Sequence, residues 1–143
     1  FVGSRGERSQ LVRRFLRPGG RLVVAEFPPL AESLGEGTEG LDEPYFSQDR
    51  PLCCPVEGSY AEPGADFSHD SYQWIHPLEE TLGAILQAGL ELRAFREFAY
   101  SPYGCFPFTR EIAPGLWQLP EPWGGLPLAF GLVAERSGSP GDP

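Results

Sequence analysis

Apolar and polar positions alternate along this chain with three different periods, and each period marks a different kind of element. Leu11, Val12, Phe15 and Leu16 recur at helical spacing, with Ser9 placed to cap the helix and Arg13, Arg14 and Arg17 where they favour a helix C-terminus. Pro18-Gly19-Gly20 stops that helix. Residues 21–27 follow as RLVVAEF, whose unbroken apolar run predicts a strand covered on both faces, inside a sheet.

A second helix is predicted to open at Pro77, to carry Glu79 and Glu80 in its first turn, to bury Leu78, Leu82, Ile85 and Leu86, and to end at Gly89. Residues 90–98 then set Leu90, Leu92 and Ala94 against Glu91, Arg93 and Phe95. That period of two predicts a half-exposed edge strand. Residues 128–134, LAFGLVA, are apolar throughout and predict a second interior strand.

Between these elements lie two long segments without clear periodicity. Residues 28–72 hold Pro28-Pro29, several glycines and scattered acids, and predict an irregular excursion with a short helix near residues 30–34. Residues 98–123 contain Phe98, Tyr100, Tyr103, Phe106, Phe108, Trp117 and Trp123, a density of rings suited either to closing over an apolar acceptor or to packing on the sheet. Residues 137–143 read as a polar, flexible tail after a single domain of 1–136.

Composition narrows the classes of function. The 143 residues are 41% hydrophobic and 13% aromatic, enough for a folded core. The formal charge of -9 argues against a nucleic-acid or anionic-membrane partner. Cys53, Cys54 and Cys105 are odd in number and lack C-x-x-C spacing, which disfavours a disulfide framework or structural zinc and fits a cytoplasmic protein. The chain starts at Phe1 and contains no Met, so the expectation is a fragment of a longer protein; no secretory leader pattern explains that start.

The segments RRFLRPGGRLVVAEF (13–27), YQWIHPLEETLGAILQAGLELRAFREF (72–98) and LPLAFGLVAER (126–136), in that order, resemble the C-terminal half of a class I S-adenosylmethionine-dependent methyltransferase of the small-molecule type. The resemblance implies an α/β fold, a partial Rossmann-like sheet carrying the family's fifth, seventh and sixth strands with the seventh antiparallel. It also implies that this chain lacks the cofactor half, since the glycine-rich loop after the first strand is not present. Pro18-Gly19-Gly20 leaves a helix and enters a strand, the reverse of a cofactor loop. The implied cofactor is S-adenosylmethionine in the complete enzyme, and the implied partner is a small-molecule methyl acceptor.

Methyl transfer asks a protein to align acceptor and methyl and, where needed, to take a proton. His76, ahead of Pro77 at a helix start, is a candidate base because the positive dipole end favours a neutral imidazole; it could equally be a capping or packing residue beside Trp74. Glu26 ends the first strand on the side where ligands of such sheets bind, and is either an acceptor-orienting group or a solvated carboxylate. Phe27, Tyr72, Trp74, Tyr100 and Tyr103 are the candidate substrate contacts.

Where family members carry a His-Pro pair, this chain has Phe27-Pro28-Pro29, so no role for a His carries over there. His69 with Asp66 and Asp70 lacks a well-spaced third metal ligand and reads as a solvated loop. The competing class of function is a non-catalytic module, derived from the same fold, that binds a small ligand or a protein.

Overall fold

The computed structural model describes residues 5–34, 41–46, 49–58, 62 and 64–138. In chain order the elements are helix α1 (Arg5–Phe15), strand β1 (Arg21–Glu26), the short helix α2 (Pro29–Glu32), strands β2 (Leu52–Glu57) and β3 (Ser68–Gln73), helix α3 (Leu78–Gln87), and strands β4 (Leu90–Phe98), β5 (Arg110–Ala113), β6 (Leu116–Gln118) and β7 (Ala129–Arg136). The described chain is thus mixed α/β, with its strands in antiparallel sheets and few helices.

The main sheet has three strands in the order β1-β7-β4, with β7 antiparallel to both neighbours. Its central position follows from its sequence: Phe130, Leu132 and Ala134 are buried on one face, where β1 supplies Leu22 and Val24 and β4 supplies Leu90 and Phe95. Helices α1 and α3 pack on each other, and Leu16, Leu78, Leu82, Ile85 and Ala88 join the same core. Burying a Leu or Ile side chain there contributes about 2 kcal/mol, so this single layer of contacts holds the sheet to its helices.

Several sequence expectations change here. Ser9 does not cap α1, because the helix starts one turn earlier and Ser9 lies inside it. Strand β1, expected inside a sheet from its apolar run but with an unpaired edge where the resembled family's fourth strand is lacking, pairs only with β7 among the described residues, and Val23, on the side away from the helices, is 70% exposed. An apolar run shows only that a strand tolerates burial on both faces; the missing neighbour and the open second face are tertiary facts. Leu86 is 61% exposed, whereas Thr81 and Ala84 share the buried face of α3 with Ile85. The residue at the predicted start, Pro77, is the N-cap of α3.

The edge strand β4 forms as expected, but its alternation breaks at a bulge. Leu92 faces Ala134 and Ala94 faces Val133, so Arg93 is an extra residue and the strand changes face there. Phe95, expected to point out, therefore turns into the core and packs on Phe130 at a ring distance of 5.7 Å. Arg93 is released to bind Glu91 and Glu135, and Arg21 binds Glu135 from the other edge. The two guanidinium hydrogen bonds hold the Glu135 carboxyl below the usual glutamate range.

A carboxyl lowered in the folded state stabilises above its unfolded pKa, and that contribution disappears as pH falls through the folded value. The stability difference between the wild type and Glu135→Gln should therefore be present at neutral pH and shrink below the ordinary glutamate range. Urea midpoints across acid pH check this. A constant difference would mean that the pairs with Arg21 and Arg93 carry none of it.

Two hairpins occupy segments predicted to be irregular. β2 pairs with β3 between residues 52 and 73, and β5 pairs with β6 after the aromatic loop. Pro55 inside β2 and the polar, largely exposed β3 (SHDSYQ) gave no apolar period to detect. Of the expected tail, residues 139–143 lie outside the described residues. Among the described residues no helix is long and apolar enough to cross a membrane.

Candidate functional site

At the carboxyl end of β1 the chain runs through Phe27 and Pro28 into α2, and this turn is fixed by buried contacts. Ala31 and Leu34 are 1% exposed and join Leu119 and Leu128 in a second core cluster, flanked by Phe106, Phe108 and Trp123. Ser33, fully buried, donates its hydroxyl to the Pro29 carbonyl at 2.8 Å. The Ser33 carbonyl accepts the backbone N–H groups of Asp42 and Glu43 at 2.9 and 3.2 Å, so the returning chain is tied against α2.

These anchors leave a cleft of about 740 Å³ between the end of β1 and the β2-β3 hairpin. One wall is aromatic: Phe27, Phe106 and Trp74, the last 47% exposed. A second wall carries the carboxylates Glu32, Asp42 and Glu43. The hairpin side supplies Leu52, Cys53, Cys54 and Gln73, and Cys105 borders the cleft from the aromatic loop. All three cysteines are free thiols. The volume suits a small organic ligand, and the mixture of apolar walls with a few charged groups is typical of such sites.

The sequence-selected residues fall into two groups. Phe27 and Trp74 line the cleft, and Tyr103 meets Phe27 edge to face at 5.9 Å, with Phe106 at 6.3 Å on the same ring. Glu26, His76, Tyr72 and Tyr100 are not among the lining residues. His76 places Nδ1 2.8 Å from Glu80 Oε2, one turn along α3, so that ring nitrogen is turned toward the helix. Tyr100 is 40% exposed and packs beside Phe98, ring to ring at 5.6 Å. Glu26, exposed at the sheet's edge, stands opposite Phe130 in the ladder.

Tyr72 faces Cys53 across the hairpin and is 58% exposed. The Cys53 sulfur and the Asp70 carboxylate hold its phenol above the usual value. His69 stacks on Phe67 at 5.6 Å. Among the described residues no cluster of His, Cys, Asp and Glu has the geometry to hold a metal ion.

Phe106, Phe108 and Trp123 pack on the second core cluster, while Phe106 also shows a face to the cleft. Sequence reading missed Glu32, Asp42, Glu43 and the three cysteines as cleft residues. No local signal marks them, because they meet only through the Ser33 tie and the unpredicted hairpin.

The one glycine-rich turn beside the main sheet, Pro18-Gly19-Gly20, spends its amides internally: Gly19 N–H donates to the Arg136 carbonyl at 2.8 Å and Gly20 N–H to the Arg17 carbonyl at 2.7 Å. No donors remain there for a ligand. No protein-family model matches this chain, and no curated protein matches it. The class defined on this evidence is a mixed α/β protein with an acidic, aromatic-walled cleft at one end of its main sheet.

Proposed function

We propose that this chain is the acceptor-binding part of a small-molecule methyltransferase that uses S-adenosylmethionine, the cofactor's own binding groups lying outside these 143 residues. The observation that carries the reading is the order β1-β7-β4 with β7 antiparallel to both neighbours, which makes β1 and β4 parallel to each other. That arrangement agrees with the fifth, seventh and sixth strands of the resembled family. The unpaired side of β1, with Val23 exposed, is where a further strand would join the sheet.

In this reading the cleft holds and orients the acceptor. Phe27 and Trp74 present aromatic faces, and Tyr103 and Phe106 brace Phe27. Alignment is the main service a protein gives to an in-line displacement, so rigid walls matter more than a catalytic base. His76 and Glu26 keep their candidate roles as base and orienting carboxylate only if the completed domain brings an acceptor to them, since neither borders this cleft.

Two measurements test the proposal. The chain by itself should show no saturable micromolar binding of S-adenosylmethionine in calorimetry; such binding would contradict an acceptor-only half. The reading frame upstream should encode a strand, a Gly-x-Gly loop and a helix, and the completed protein should transfer methyl from the labelled cofactor. An upstream frame without that strand-loop-helix pattern would overturn the assignment.

A further inference from the structure

Arg13, Arg14 and Arg136 line a depression of about 440 Å³ at the end where β7 finishes, and the Arg21–Glu135–Arg93 pairs lie at that same end. Arg136 Nη1 donates to the Leu16 carbonyl at 2.8 Å, closing the C-terminus of α1. The cleft lies at the opposite end, beyond Glu26, and among the described residues its lining includes Glu32, Asp42 and Glu43 and no Arg or His. Arg50 lines the adjoining small recess, beyond Leu52 and Trp74, rather than the cleft.

We infer that the cleft binds an organic ammonium ion of arylalkylamine size. Three features of the cleft converge on that class. Its volume, about 740 Å³, accommodates a small flat ligand. Its apolar lining includes the rings of Trp74, Phe27 and Phe106 beside Leu52, Pro55 and Ile75, and aromatic rings attract a cation as well as an apolar body.

The third feature is the placement of the acidic residues. The backbones of Asp42 and Glu43 are tied beside α2 by their bonds to the Ser33 carbonyl, which keeps both acidic residues on the lining of the same cleft as the rings. An anionic ligand would meet only like charge there, and a neutral one would gain nothing from the acidic wall. The part this cation would play as methyl acceptor rests on the methyltransferase reading; its binding does not.

The experiment is calorimetry of the 143-residue protein with phenethylammonium, against 2-phenylethanol and 3-phenylpropanoate as neutral and anionic partners of similar shape. The ammonium ion should bind saturably with a Kd below about 1 mM, and at least about tenfold more tightly than either comparison compound. Asp42→Asn and Glu43→Gln should each weaken it about fivefold, as should raising the salt concentration. Asp42 is exposed and Glu43 half-buried, and thermal melting of each variant confirms that it remains folded.

Absence of saturable binding, equal binding of the three compounds, or unchanged affinity in both folded variants would overturn the inference. Those outcomes leave the methyltransferase reading standing, because that reading is decided by the upstream frame. Conversely, selective cation binding in a protein whose upstream frame lacks a cofactor loop would keep the cation site and remove the enzyme.

Discussion

Replacing Leu132 with alanine should lower the stability of this protein by about 3 kcal/mol, more than any other single truncation in the main sheet. Leu132 is 1% exposed at the centre of β7, level with Val24 of β1 and Phe95 of β4, and it packs under α3. Removing its branch takes apolar surface out of the core and leaves a cavity that cannot collapse, because the ladders on both sides fix the backbone.

Leu86 makes the internal comparison. It was placed on the buried face by sequence, yet it is 61% exposed on α3, so Leu86→Ala should change stability by less than about 0.5 kcal/mol. Urea unfolding of the two variants decides the matter. Equal losses would mean that the helix is rotated relative to the sheet from the position described.

The second large effect is expected at Gly20. A Cβ added there would lie 2.7 Å from the Arg17 carbonyl oxygen and 3.3 Å from the Arg17 nitrogen, both backbone atoms that no rotamer change can move aside. Gly20→Ala should therefore cost on the order of 2 kcal/mol through a forced backbone shift. Gly19→Ala meets no atom within 4 Å, but its φ of +74° puts an alanine in the left-handed region, so a loss of about 1 kcal/mol is expected.

The order of these two losses is informative. Gly20 sits where α1 is clamped to the end of β7, with Arg136 N–H donating to the Gly20 carbonyl at 2.9 Å. A shift there loosens helix and sheet together. If Gly19→Ala proved the more damaging, the turn would be limited by its dihedral angles rather than by the close approach of Arg17.

The regular elements were legible where a long periodic pattern met clear stop signals. The α1 turn, α3 ending at Gly89, and strands β4 and β7 all fall where apolar spacing and glycine or proline placed them. Their environments were less legible. RLVVAEF and LAFGLVA are alike as strings of residues, yet among the described residues β7 has a neighbour on each side and β1 has one. Nothing in a strand's own residues counts its neighbours.

The site was legible in part for a related reason. Phe27 and Trp74 were found because each stands beside a recognisable boundary, the end of β1 and the approach to α3. Asp42, Glu43 and Cys54 have no such marker, and His76, selected by its place before a helix, turns its Nδ1 to Glu80. A helix start is a local property, but the direction a side chain takes from it depends on what packs alongside.

From its sequence alone this protein determines a mixed α/β chain, the limits of its main helices and strands, an aromatic loop and a strongly negative charge. Those properties depend on near neighbours, through helical or strand periodicity and turn geometry. Only the tertiary structure decided that a bulge turns Phe95 inward and that acidic residues and aromatic rings from distant segments line one cleft. Each of these arises from contacts between segments far apart in the chain, whose free energy is set by complementary shape and register and leaves no periodic trace in either segment.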